Sequence, residues 1–261
     1  MDQSDAGLPP GVGVRLRGIR MAYAGAALFD GLDLDLAGGS WTCLLGPSGS
    51  GKTTLLRLVA GLAAPSAGTI ADGAGAPLAG RVAWMGQTDL LFPWLSVLDN
   101  ATIGARLRGR SADAAVVARA RDLLGRVGLG GRTGDRPAVL SGGMRQRAAL
   151  VRTLMEDKAI VLMDEPFSAL DAITRVAMQD LAFPLLRGRT VLLVTHDPLE
   201  ALRLGDRILV VTGFPAQLSE PVALPPHPPG AAAPRPLDDQ RLLALQGELL
   251  AGLARTGSGD A

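Results

Sequence analysis

A glycine-rich segment at residues 46–53 constrains the fold of this chain more than any other feature. It reads Gly46-Pro47-Ser48-Gly49-Ser50-Gly51-Lys52-Thr53, and Thr54 follows directly. Glycines let the backbone curl so that its N–H groups surround phosphate oxygens, while the lysine reaches the β- and γ-phosphates and the threonine hydroxyl holds Mg²⁺. An apolar run, Trp41–Leu45, precedes the segment and helical spacing follows it. The order of strand, loop and helix is the one that a phosphate-binding loop requires.

A second glycine phrase stands about ninety residues later. It reads Leu140-Ser141-Gly142-Gly143-Met144-Arg145-Gln146 and directly precedes a segment with helical spacing. The backbone N–H groups at the start of a helix attract anions. Two such helix starts in one chain predict a nucleotide that is held from two sides.

The composition favours a compact enzyme and argues against nucleic acid as a partner. The 261 residues include 48% hydrophobic side chains, enough for a substantial core, and the formal net charge is only +1. Cys43 is the single cysteine, so no disulfide forms within the chain, which suits a reducing compartment. Residues 1–13 lack the pattern of a signal peptide, and no run approaches the roughly 20 apolar residues of a bilayer span. We therefore expect neither a leader nor a membrane-spanning segment.

Periodicity predicts an α/β fold with an inserted helical region. Alternating apolar and polar residues predict two antiparallel strands at 12–21 and 27–36. Short apolar runs predict buried strands at 41–45, 81–85, 160–163, 191–194 and 208–211. Helical spacing predicts helices at 53–62, 112–127, 143–155, 172–186 and 237–253. Strand signals largely vanish between 88 and 157, and the Pro- and Ala-rich stretch 215–236 is expected to be extended or mobile.

Polar residues follow several of the predicted strands. Asp164 and Glu165 end an apolar run, which places two carboxylates at the carboxyl edge of the sheet, where ligands of α/β folds collect. Gln87 and His196 each follow another strand, and Tyr23 lies 29 residues before Lys52. Taken singly, these residues have ordinary alternatives: a solvated acidic turn, a loop glutamine, a strand-end histidine and an aromatic that covers the small sheet.

The motifs in this order resemble the nucleotide-binding subunits of ATP-binding cassette (ABC) transporters, over about residues 12–213. The phosphate loop alone is shared by many NTPases, whereas the phrase 140–146 narrows the resemblance to this family. The resemblance implies a P-loop NTPase (RecA-like) core with a small antiparallel β-subdomain and an inserted α-helical subdomain at about 88–157. Residues 214–261 then form a Pro- and Ala-rich tail with a C-terminal helix, whose role is unknown.

The resemblance also implies that ATP and Mg²⁺ bind and that the strand-end residues have catalytic roles. Asp164 and Thr53 would hold Mg²⁺, and Glu165 would polarise the attacking water as general base. Lys52 would stabilise phosphate charge, and Gln87 would contact both Mg²⁺ and the water. His196 would contact the γ-phosphate as the switch histidine. Tyr23 would stack on adenine, which is weakly selective for the base.

The resemblance further implies a head-to-tail homodimer. Ser141, Gly142 and Gly143 of one subunit would close over ATP bound to Lys52 of the other, and Asp171 would cross the dimer interface in the segment Ser168–Asp171. The family's usual glutamine is Met144 here. Because backbone N–H groups and the serine would make the phosphate contacts, this departure places little in doubt.

Two further inferences concern partners and transport. Phe92 and Trp94 follow Gln87 where family members receive a helix from the permease, so we hypothesise that they line that groove; packing inside the helical insertion is the alternative. The segment 91–100 resembles that of importers of nitrate, sulfonate, taurine or hydroxymethylpyrimidine, and the last, a thiamine precursor, is the solute favoured here. Integral membrane permeases and, indirectly, a solute-binding protein would then be partners, with the chain peripheral at the cytoplasmic face of the inner membrane. Alternatives are a non-transport ABC ATPase and an assembly scaffold, each acting in a soluble complex.

Overall fold

A computed structural model describes residues 12–23, 25–109, 113–225, 227, 231 and 233–257. Residues 1–11, which carry most of the segment expected to lack a leader, lie outside them. The strands are β1 Val14–Tyr23, β2 Ala26–Leu36, β3 Trp41–Leu45, β4 Ala67–Asp72, β5 Val82–Met85, β6 Ile160–Asp164, β7 Thr190–Val194, β8 Arg207–Thr212 and β9 Gln217–Leu218. The helices are α1 Lys52–Val59, α2 Val97–Leu107, α3 Ala114–Arg126, α4 Gly142–Met155, α5 Ala172–Leu186, α6 Pro198–Leu204 and α7 Gln240–Gly257.

The main sheet has six strands in the order β5-β6-β7-β3-β8-β9. The first five are parallel, and β9 pairs antiparallel to β8. Every residue of β3, β6 and β7 is buried. Strands covered on both faces need continuous apolar runs, and this explains why these three read as such in the sequence.

Alternate residues of the central strands face two different cores, as the two-residue period of a strand requires. Leu44, Leu162 and Leu192 pack with α1 and the small sheet. Cys43, Val161 and Leu193 pack on the opposite face with the inserted helices, α5 and α6. The main sheet is therefore a middle layer, with α1 and the small sheet on one face and the inserted helices, α5 and α6 on the other.

The small sheet has three strands in the order β2-β1-β4, all antiparallel. The sequence pattern predicts the pair β1 and β2 but misses β4. In β4 only Ile70 is a large apolar residue, and most of the strand is exposed or half-buried. The alternation of apolar and polar residues in this segment is too weak to predict a strand. The strand forms because the second edge of β1 is available for backbone pairing.

Helices α2, α3 and α4 lie between β5 and β6, and among the described residues of that region no strand occurs. Side-chain caps fix their starts. Ser96 accepts a hydrogen bond from the Asp99 N–H at 3.0 Å, and Asp113 accepts one from the Ala115 N–H at 2.9 Å. The helix predicted at 112–127 thus begins after its cap, at Ala114; residue 112 lies outside the described residues.

The tail is anchored to the rest of the fold. Val222 pairs with Ile208 of β8, and α7 packs on α6. The buried Arg235 guanidinium donates to the carbonyls of Leu202, Gly205 and Pro225 at 2.6–2.8 Å. The stretch 215–236 was expected to be extended or mobile; its described part contains the end of a turn, strand β9, the bridge at Val222 and irregular segments, and these contacts fix it in place. Residues 226, 228–230 and 232 lie outside the described residues. Within the described part of the chain, no helix is both long and apolar enough to cross a membrane.

We predict that Arg235→Ala lowers the free energy of unfolding by about 3 kcal/mol, because buried carbonyls would lose a charged donor. Urea denaturation followed by circular dichroism measures this change. Arg241→Ala, on an exposed position of α7, is the matched control and should change it by less than about 0.5 kcal/mol. Equal effects of the two substitutions would show that the Arg235 contacts do not hold the tail.

Candidate nucleotide-binding site

The five parallel strands end at one edge of the main sheet, and each is followed by a segment that carries polar or aromatic groups. The glycine loop follows β3, and Gln87 follows β5. Glu165 follows β6, His196 follows β7, and Phe214 follows β8. Ligands of open α/β sheets bind at this edge. The sheet therefore brings together groups that are far apart in the sequence.

A cavity of about 510 Å³ opens at this edge. Its walls include most of the predicted loop residues together with Tyr23, Gln87 and Glu165. The lining residues are Tyr23, Leu28, Ser48, Gly49, Gly51, Lys52, Thr53, Thr54, Gln87, Glu165 and Phe214. Gly46, Pro47, Ser50, Asp164 and His196 do not line it but contact residues that do.

The glycine loop is shaped so that the first turn of α1 faces the cavity. Gly51 precedes the helix with φ of 90°, and no side chain caps the helix start. A Cβ on Gly51 would lie 3.0 Å from Phe29 Cζ, so packing as well as conformation requires glycine there. Uncapped N–H groups at a helix start are donors for an anion. The local geometry is that of a phosphate cradle.

Lys52 lies within the loop and is almost completely buried. Its ammonium donates to the carbonyl oxygens of Gly46 at 2.8 Å and Pro47 at 2.6 Å. Burial lowers the pKa of Lys52, while the nearby carboxylates of Glu165 and Asp164 act to raise it. The loop thus holds this cation in place between its own carbonyls and the acidic pair.

Asp164 lies at the end of β6 beside the start of α1. Its Oδ1 accepts a hydrogen bond from the Thr53 hydroxyl at 3.2 Å. Burial raises the pKa of Asp164, and the hydrogen bond from Thr53 partly offsets this. A carboxylate beside a hydroxyl suits Mg²⁺, which takes one or two protein oxygens and fills its other positions with phosphate and water. These two residues fit such an ion.

The side chain of Glu165, which follows β6, lies next to residues that follow β5 and β7. Its Oε2 accepts a hydrogen bond from Gln87 Nε2 at 3.1 Å and lies 3.2 Å from His196 Nδ1. Its backbone is left-handed, with φ of 46°, a conformation that non-glycine residues seldom adopt. Such strain persists only where the surroundings enforce it and is concentrated at functional sites. The Val194 carbonyl and the Ser168 side chain fix this backbone at 2.9 Å each.

The second glycine phrase does not reach this cavity. Ser141 is exposed and caps α4, accepting a hydrogen bond from the Met144 N–H at 3.3 Å. Gly142 and Gly143 form the first residues of that helix. Asp171 is also exposed and caps α5 through the Thr174 N–H at 3.0 Å. The structure therefore divides the predicted residues into a cavity group and a group on a separate part of the surface.

Sequence reasoning missed Phe214 and Leu28 as cavity residues. The Ala216 N–H donates to the Leu28 carbonyl at 2.8 Å, which holds the turn after β8 against β2. Together with Tyr23 they add apolar and aromatic side chains to the cavity wall, where Leu28 lies beside Gly51 of the phosphate loop. Phe214 could have been predicted, since β8 was predicted and the residues that follow parallel strands lie at one edge of the sheet. Leu28 alternates like any strand residue and carries no such signal.

Comparison with known proteins places this geometry in a family. The model of the family described as "ABC transporter" matches residues 29–168. A Haemophilus influenzae protein named "Uncharacterized ABC transporter ATP-binding protein" is 44% identical over 240 residues, which are 91% of this chain and 97% of the relative. The chain belongs to the ABC transporter family.

Two further matches agree with this assignment. The aliphatic sulfonates import ATP-binding protein SsuB 1 of Rhodococcus jostii is 44% identical over 246 residues, 93% of this chain and 94% of the relative. A solved dimer of an ATP-binding cassette in a post-hydrolysis state with ADP and Pi matches with a TM-score of 0.73 at 26% identity, covering 82% of this chain and all of the other. The resemblance seen in the sequence and the P-loop NTPase fold are both confirmed. The chain is thus an ATPase, and ATP is its nucleotide.

We predict that Phe214→Ala weakens ATP binding about 3- to 10-fold, because an aromatic contact with a flat base is worth about 0.5–1.5 kcal/mol. Binding of inorganic tripolyphosphate, which lacks the base, should stay unchanged. Isothermal titration with each ligand measures both. Leu62→Ala, at an exposed residue that does not line the cavity, is the control. Equal weakening of both ligands by Phe214→Ala would contradict a contact with the base.

Proposed function

We propose that this chain is the ATP-hydrolysing subunit of an ABC importer for aliphatic sulfonates, and that it works as a head-to-tail homodimer on membrane permeases. The observation that carries the proposal is the separation of the site into two surfaces. The phosphate loop, Glu165 and Gln87 line one cavity and His196 lies beside Glu165, whereas Ser141 lies exposed elsewhere. A second copy turned head to tail supplies the missing side.

In this scheme the enzyme accelerates hydrolysis by positioning the attacking water and the γ-phosphate and by stabilising the charge of the transition state, as phosphoryl transfer requires. Glu165 is the general base that takes the proton of the attacking water. Gln87 and His196, both next to the Glu165 carboxylate, orient the water and the γ-phosphate. Lys52 and the α1 N–H groups balance the developing negative charge on the phosphates.

Thr53 and Asp164, with Gln87 nearby, are the residues that would hold Mg²⁺. When bound there, the ion would supply positive charge that offsets the negative charge of the phosphates. The Thr53 hydroxyl already points at the Asp164 carboxylate, so both oxygens lie side by side at the end of the phosphate loop. Tyr23, an exposed residue of the cavity wall, stacks on adenine.

The permease partner docks on an exposed apolar patch formed by Leu90, Phe92 and Trp94. Leu90 and Trp94 are each 65% exposed, and the Phe92 and Trp94 rings lie 5.4 Å apart. Their exposure argues against packing inside the helical insertion. The Asn100 side chain holds the backbone of Phe92 through hydrogen bonds of 2.8 and 3.1 Å. An exposed apolar surface whose backbone is held in place suits a partner helix.

Hydrogen bonds and an ion pair connect this patch to α4, the helix that Ser141 caps. Arg145 pairs with Asp89 at 2.9 Å, and Arg152 donates to the carbonyls of Asp89 and Leu90 at 2.7 and 2.6 Å. Movement of α4 when ATP closes the dimer therefore moves the patch. In this way the energy of ATP binding and hydrolysis reaches the permease.

The solute is inferred from the names of the relatives, because in the proposed importer the solute binds to other chains. Relatives from Rhodococcus jostii, Rhodopseudomonas palustris and Shigella sonnei are all named aliphatic sulfonates import ATP-binding proteins. These names favour sulfonates over hydroxymethylpyrimidine. A solute-binding protein delivers the sulfonate to the permease, and the chain lies at the cytoplasmic face of the inner membrane.

Growth on a single sulfur source tests the function. A strain that lacks this gene should fail to grow on an alkanesulfonate but grow normally on sulfate. Wild-type chain should restore growth, whereas Glu165→Gln should not, because it lacks the general base. Normal growth of the deletion strain on alkanesulfonates would contradict the proposed solute.

Capture from membranes tests the partner and separates transport from a role in a soluble complex. Glu165→Gln with ATP should hold the dimer closed and retain an integral membrane permease. We predict that adding Trp94→Ala abolishes this retention, while adding Leu107→Ala, another highly exposed residue, does not. Quantitative mass spectrometry of the retained permease gives the readout. Retention of a soluble complex in its place would favour the non-transport alternative.

A further inference from the structure

Arg175, on the first turns of α5, joins two loops that the ATPase chemistry uses separately. Its Nη2 donates to the Leu170 carbonyl at 3.1 Å, and its Nη1 pairs with Asp197 Oδ2 at 3.2 Å. Leu170 belongs to the segment Ser168–Asp171, here called the interface loop. Asp197 belongs to the segment Thr195–Asp197, here called the switch loop, which carries His196. A single guanidinium thus spans the two loops.

The switch loop is held at both sides of His196. The Asp197 N–H donates to Thr195 Oγ1 at 3.1 Å, and the Thr195 hydroxyl donates to the buried Glu200 carboxylate. The Asp197 carboxylate also caps α6, accepting from the Leu199 N–H at 2.9 Å. The residues on both sides of His196 are thus held by side-chain contacts, and Arg175 makes one of these contacts.

The interface loop in turn touches the start of α4. A Cβ placed on Gly143 would lie 3.4 Å from Leu170 Cδ2, an ordinary contact distance, so the start of α4 lies beside the Leu170 side chain. Leu170 is itself buried, and its N–H donates to the Phe167 carbonyl at 3.2 Å. Displacement of Gly143 therefore presses on the loop whose carbonyl Arg175 binds.

We propose that Arg175 is a positioning residue that couples the two ATP sites of the dimer. The inference rests on the proposed function, in which Ser141 and Gly143 contact ATP held by the other subunit while His196 contacts ATP held by its own. Contacts then run from Gly143 through Leu170 and Arg175 to Asp197 and His196. When ATP held by the other subunit's phosphate loop contacts Gly143, these contacts set the position of His196 beside the ATP held by the chain's own phosphate loop.

Steady-state ATP hydrolysis as a function of ATP concentration tests this coupling in Arg175→Gln, Asp197→Asn and the double variant. Asparagine is as good a helix cap as aspartate, so Asp197→Asn removes the ion pair and keeps the start of α6. We expect wild type to hydrolyse ATP with a Hill coefficient above 1. Each single variant should lower kcat about tenfold, within the range typical of coupled sites, and lower the Hill coefficient towards 1. The KM for ATP should change less than about twofold, since Arg175 does not line the cavity.

The remaining variants separate coupling from simple structural support. The double variant should be no worse than either single one, because both remove the same contact. Arg175→Lys should recover part of kcat through its charge, and Arg121→Gln, at an exposed position of α3, should match wild type. Unchanged kcat and Hill coefficient in both single variants, or a wild-type coefficient of 1, would overturn the coupling and leave the ATPase function standing. Absence of ATP hydrolysis by wild type would overturn the proposed function and the coupling together.

Discussion

Parallel pairing of five buried strands is the constraint on which the rest of this structure depends. Since β5, β6, β7, β3 and β8 run in one direction, the residues that follow them meet at one edge of the sheet. Their apolar side chains, packed on both faces, fix the backbone there. A rigid edge can enforce the strained conformation of Glu165 and hold Gln87 and His196 against its carboxylate. The chemistry is thus a consequence of sheet topology.

The chain divides the residues assigned to the proposed site between two surfaces, and in the proposed dimer this division would give ATP a mechanical role. One surface carries the phosphate loop; the other, at Ser141, is exposed and presents the N–H groups of the first turn of α4, a kind of site that attracts anions. In the proposed dimer a nucleotide between two copies would bridge them, and its hydrolysis would remove the bridge. Arg145 and Arg152 connect α4 with the apolar patch at Leu90, so closing and opening of that dimer would displace the patch.

Local patterns in the sequence were sufficient where a residue's role depends on its own segment. The glycine loop, the acidic pair after β6 and the apolar runs of β3 and β7 were all predicted, because turn geometry and continuous burial leave direct traces. Features that depend on distant partners left no such trace. Strand β4 forms because β1 has a free edge, and Phe214 lines the cavity because the Ala216 N–H holds its turn to Leu28. Arg235 and Arg175 looked like other arginines in an arginine-rich chain, since only the fold shows which carbonyls they bind.

The most direct test of the central claim is the molar mass of the Glu165→Gln chain, measured by size-exclusion chromatography with light scattering, with and without ATP. A shared site predicts one chain per particle without ATP and two chains with it. It also predicts that Ser141→Arg, added to Glu165→Gln, leaves ATP bound to Lys52 but keeps the particle at one chain. A Glu165→Gln chain that binds ATP and stays monomeric, or a dimer that survives Ser141→Arg, would contradict the account.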